Sequence, residues 1–302
     1  MKLIDELTVI LKADWSAHRD LSKLAVALYN RCYASCILDG PPAEATRVAD
    51  DLTPALIAAN CGRPSWDEGW RIDQLLDGGS ILARKAGAAR SFLPGEFLTH
   101  RGIGSGPEPT AKISIFVPVG STELQAGYYY AFSETVSDFD ESEWTVRLYW
   151  NVTREGAPRL MEAITRDFNR FQIPFRFKCA NKSSDYPRRD AAVLYVHARY
   201  YPIAASVAES IHEQVRAGLN VDTPLFTRRL ADGLALSEDP GESFGENRMR
   251  ILAAAILACR GQGVEQHIEE LRRQFEQRGL SFEQPWLNSG SIDRYPFPYP
   301  LS

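Results

Sequence analysis

Two short segments most constrain this chain: VRLYWN at 146–151 and PFRFKC at 174–179. Each alternates with a period of two, the spacing of a strand whose successive side chains point to opposite faces. Val146, Leu148 and Trp150 share one face of the first, leaving Arg147 and Tyr149 on the other. In the second, Phe175 and Phe177 oppose Arg176 and Lys178. A chain with such strands must build a sheet with one apolar face to cover and one cationic face to use or solvate.

The surrounding pattern sets the class. Residues 1 to about 90 read as mostly helical, since LSKLAVALYNRCYASCIL and PAEATRVADDLTPALIAANC space apolar residues by three and four. From about 80 the texture changes to short β-branched or aromatic runs between Gly, Pro and Asp-rich turns: SILARKAG, EFLTHRG, ISIFVPVG, AGYYYAFSET and WTVRLYWNVT. Helical spacing returns over 155–172, two more strands follow in PFRFKCA and AAVLYVHARYY, and helices are expected from 202 to about 219 and from about 263 to 279. Ser243 and Glu246 have capping-box spacing and open another helix. The expectation is an α+β fold: a helical N-terminal region, 1–90, packed on a largely antiparallel sheet core with flanking helices, 91–302, in one continuous globular unit.

Bulk properties exclude several classes. A net charge of -5 on 302 residues gives no global attraction to nucleic acid or an anionic membrane. No run approaches the roughly 18–20 apolar residues of a membrane span. Five scattered cysteines fit a reduced, cytoplasmic protein, and Cys32 with Cys36 lacks the second pair that a zinc site needs. No GxGxxG after a strand, GxxxxGK[ST], HExxH or GxSxG occurs.

Against this acidic background, residues 166–189 carry seven basic side chains and two acidic ones. The pattern alone fits either a solvated basic strand face or an oxyanion site. Arg offers phosphate a planar fork, and a crowded Lys can lose its proton and act as a base. SFGENRMR adds a helix N-terminus followed by Arg248. His100 and His197 are acid/base candidates.

Several blocks, in order, resemble the Hop-A-type effector family: PGEF (94–97), AGYYYAFSE (126–134), VRLYWNV (146–152), IPFRFKC (173–179), RRDAAVLYV (188–196), DTPLFTRRLADGLALSEDPG (222–241) and ESFGENR (242–248). The resemblance covers more than half the chain. It implies a fold like that of phosphothreonine lyases and a stand-alone lyase of the class V lanthipeptide and thioamitide type. Such a lyase takes a precursor peptide phosphorylated by a separate Ser/Thr kinase and eliminates phosphate to give dehydroalanine or dehydrobutyrine. No cofactor or metal is implied, because elimination involves no attack at phosphorus.

Carried over residue by residue, the resemblance places the base at Lys178. It places phosphate ligands at Arg188 or Arg189 and at Arg248, and Arg147 and Arg176 of the two cationic strand faces would join them. Where related lyases carry a His, this chain has Trp150-Asn151. The acid would come from elsewhere, with His100, His197, Tyr129 and Tyr149 as candidates. The alternatives are a non-catalytic module binding a leader peptide or kinase, and a type III effector acting on host phosphoproteins.

Overall fold

The computed structural model describes residues 3–35, 50–85, 87–100, 106–135, 144–186 and 188–298. Cys36, most of the Gly-rich stretch after His100 and the last four residues lie outside them. The chain begins with α1 (Leu3–Lys12), α2 (Leu21–Leu28), a π-turn over Tyr29–Tyr33, and α3 (Thr53–Ala59). Asp20 caps α2 by accepting from the Lys23 amide at 2.9 Å, which satisfies one of the free N–H groups of its first turn.

Helix does not continue to residue 90. Strand begins at Ser65, and β1 (Ser65–Leu75), β2 (Ile81–Lys85), β3 (Ala88–Phe92), β4 (Phe97–Thr99) and β5 (Lys112–Val117) form an antiparallel sheet in the order β3-β2-β1-β5-β4. The sequence hides β1 because its pairing slips between Asp67 and Trp70, where Gly69 adopts a φ of +90°. Trp70 and Ile72 are the buried residues of β1, and they join Ile81, Ile113 and Ile115 in this sheet's own core.

The second sheet follows: β6 (Gly120–Ser121), β7 (Tyr128–Phe132), β8 (Thr145–Trp150), β9 (Phe175–Ala180), β10 (Ala192–His197), β11 (Arg228–Ala231) and β12 (Leu234–Glu238). Their order is β11-β12-β8-β10-β9-β7-β6, antiparallel throughout, so β8, β10 and β9 lie side by side at the centre. The apolar sides of these strands, including Leu148, Trp150, Phe177 and Leu194, pack on α4 (Ala157–Arg170) and α5 (Tyr201–Val215). In α4 the buried Leu160, Met161, Ile164 and Phe168 recur at helical spacing. Each such side chain contributes about 1.5–3 kcal/mol by leaving water.

A helical layer of α1, α2, α6 (Phe244–Ala258) and α7 (Val264–Glu276) shares a separate core. It meets the other side of the sheet where Phe244 stands 6.3 Å, ring to ring, from Tyr149. The molecule is α+β, with two antiparallel sheets and helices on both sides of the larger one.

Candidate functional site

Register decides which side chains share the face opposite α4 and α5. Lys178 pairs across the strands with Val193 on one side and Tyr130 on the other. Two residues along, Tyr195 pairs with both Arg176 and Arg147. These rows are about 7 Å apart, twice the rise per residue of a strand. Arg176, Lys178, Arg147, Tyr195 and Tyr130 therefore occupy one continuous patch.

Lys178 is half-buried. Its Nζ donates to Gln125 Oε1 at 3.1 Å and lies 4.5 Å from the ring centre of Tyr128. No described carboxylate comes within ion-pair distance of it. Burial is the first cause pulling its pKa below the ordinary lysine value, since charge is costly away from water. Arg147 and Arg188 push the same way, while Tyr130 and Asp190 oppose them. A lysine so placed is more readily neutral, as a proton acceptor must be.

The arginines divide into groups. Arg176 is exposed, its guanidinium carbon 4.9 Å from the Tyr195 ring centre, with no ion-pair partner among the described residues. Arg147 approaches the same ring at 5.3 Å but is buried and committed to Asp239 (2.6 Å) and the carbonyl of Glu242 (2.7 Å). Arg188 makes two bonds to Asp190, both at 2.9 Å, and donates to the Tyr29 hydroxyl at 3.0 Å. It remains close enough to influence Lys178.

Arg189 is spent on structure: buried, it donates to Glu6 at 2.6 Å and to the carbonyl of Cys32. Arg248 is likewise internal, donating to the carbonyls of Pro285 (2.8 Å) and Leu287 (2.9 Å). Burial lowers its pKa to about 10. It ties α6 to the tail instead of facing Lys178.

The proposed acids fare similarly. His100 belongs to the five-stranded sheet, where its Nε2 meets Ser114 Oγ at 2.6 Å. His197 ends β10, four residues and about 13 Å beyond Val193, and its Nδ1 accepts from the Arg199 amide. Tyr129 points to the opposite face, its hydroxyl accepting from Asn60. Tyr149 is on the cationic face but buried beneath Phe244, with its hydroxyl 3.2 Å from Ser237 Oγ. None of the four meets Lys178.

Side chains that sequence reasoning missed complete the patch: Gln125, Tyr128, Tyr130, Asp190 and Tyr195. Alternation flags Tyr128 and Tyr130 as one set and Tyr129 as another, but only pairing with β9 says which set faces Lys178. The glycine of SFGENR has a packing reason. A Cβ on Gly245 would stand 2.4 Å from the ring of Tyr33 and 2.6 Å from that of Tyr29.

Comparison with known families matches residues 119–287 to the HopA1 effector protein family. That span holds the whole seven-stranded sheet and α4 to α7. Two solved structures are similar: the effector proteins from Pseudomonas syringae pv. tomato strain DC3000, at 19% identity, and from Pseudomonas syringae pv. syringae strain 61, at 20%. Each match has a TM-score of 0.42 and covers 54% of this chain and 63% of the effector chain. A comparison with curated proteins found no match. Among the described residues, no helix is long and apolar enough to cross a membrane.

Proposed function

The chain belongs to the HopA1 effector protein family, and from that premise we propose that it eliminates phosphate from phosphoserine or phosphothreonine in a peptide. The observation that supports this most is the state of Lys178: half-buried, depressed in pKa, held by a neutral amide and next to Arg176, whose guanidinium has no ion-pair partner among the described residues. In this mechanism the neutral amine takes the proton from Cα. The C–H electron pair becomes the Cα=Cβ bond, the Cβ–O bond breaks, and inorganic phosphate leaves. Arg176 anchors the phosphate, while Arg147 and Arg188, each paired with a carboxylate, help to hold the lysine's pKa down. Positioned base catalysis of this kind contributes about 10² to 10⁴ in rate.

The peptide fitting this role is a ribosomally made precursor carrying a phosphate from a separate kinase; a host phosphoprotein is the effector-type alternative. One observation favours a second, non-catalytic reading: neither His100 nor His197 reaches Lys178. Then the patch would only bind a peptide. Incubating a phosphoserine peptide with the protein and EDTA separates the readings. The lyase releases phosphate and leaves an alkene that a thiol traps. Release with serine regenerated means hydrolysis, and binding without release means a binding module.

A further inference from the structure

We infer that Tyr130 is the proton donor to the departing phosphate, an assignment that rests on the lyase reading above. The Tyr130 hydroxyl donates to Gln125 Oε1 at 2.9 Å, and the same oxygen accepts from Lys178 Nζ at 3.1 Å. The phenol oxygen and the amine are therefore no more than about 6 Å apart, on either side of one shared acceptor. In a β-elimination the leaving oxygen and the abstracted proton sit on adjacent carbons. The acid and the base must then be separated by one Cα–Cβ unit with a hydrogen bond at each end, and this pair has that order of spacing.

Other phenols near Lys178 present the wrong part of the ring. Tyr128 offers its π face to the amine, and Tyr195 offers its π system to Arg147 and Arg176. Tyr149 is buried and turned to Ser237. Tyr130 alone among these four shares a hydrogen-bond acceptor with the base. Its partner Gln125 is exposed, so the bridge lies at the solvent side of the patch, where a peptide could displace the amide. Burial also keeps the phenol protonated, with a pKa above the ordinary tyrosine value.

The step balances. Lys178 Nζ gains the Cα proton, and the C–H electron pair stays on Cα as a carbanion until it forms the double bond. The phenol proton passes to the bridging phosphate oxygen as the Cβ–O bond breaks, leaving tyrosinate. Transfer of the lysine's proton to the tyrosinate, directly or through water, restores both groups, and no oxidant or reductant enters.

The test is Tyr130→Phe in the full chain, assayed on a phosphoserine peptide in D2O beside wild type and Lys178→Ala. Elimination by Tyr130→Phe should fall by about 10² to 10⁴. The recovered phosphopeptide should still bind and should carry deuterium at Cα, because Lys178 still removes that proton. Lys178→Ala should give neither elimination nor exchange. Elimination by Tyr130→Phe near the wild-type rate, with Lys178→Ala inactive, overturns the inference and leaves the lyase reading standing. Lost elimination without deuterium uptake also overturns it, reducing the phenol to a positioning group acting through Gln125. Elimination by Lys178→Ala at the wild-type rate, or none by wild type, removes the lyase reading and this inference with it.

Discussion

Arg147 and Arg176 flank one aromatic ring, that of Tyr195, from the two strands on either side of it. The pair is unequal. Arg147 is bound to Asp239 and to the backbone of Glu242, whereas Arg176 has no described carboxylate. Arg176→Ala should therefore weaken binding of a phosphopeptide, by about 10- to 100-fold for one charge-assisted hydrogen bond, with little change in Tm. Titration with phosphorylated and unphosphorylated forms of one peptide checks this. Equal loss for both forms would remove Arg176 from the phosphate.

Arg248 makes the opposite expectation. Its guanidinium satisfies the carbonyls of Pro285 and Leu287 inside the protein. Arg248→Met strands those carbonyls and should cost about 2–5 kcal/mol, read as a lower urea midpoint. Phosphopeptide affinity of the folded variant should stay within about twofold, as for a site with no shared partners. Unchanged stability with lost binding would return Arg248 to the phosphate site.

Gly245 tests the contact between the helical layer and the π-turn. In a helix Ala is ordinarily about 1 kcal/mol better than Gly. Here the added methyl would press into the rings of Tyr33 and Tyr29, so Gly245→Ala should destabilise by about 1–3 kcal/mol. A rise in Tm would mean that the rings move aside freely.

Lys178 sets the pH dependence. The reactive form is the neutral amine, and burial depresses its pKa below the ordinary 10.5. Then kcat/KM should rise with pH and level off above a midpoint lower than 10.5. Asp190 raises that pKa, so Asp190→Asn, which also leaves Arg188 uncompensated, should move the midpoint down. An upward or absent shift in the rate profile contradicts the placement.

Much of this was legible in the sequence where one face of an element is buried. Helix α4 and the central strands follow from apolar spacing, α6 from its Ser243 cap, and alternation alone puts Arg176 with Lys178. What depends on pairing was not legible. Three consecutive tyrosines at 128–130 give no hint which meets the lysine until β7 is set against β9. Adjacent Arg188 and Arg189 look interchangeable, yet one turns to Asp190 and Tyr29 and the other to Glu6. The slip at Gly69 removed the alternation that would have marked β1.

The most direct test of the central claim is mass spectrometry of a phosphoserine peptide before and after incubation with wild type and Lys178→Ala. The account predicts that wild type removes the mass of one phosphoric acid, and that Lys178→Ala binds the peptide yet leaves its mass unchanged. Elimination by Lys178→Ala at the wild-type rate would contradict it.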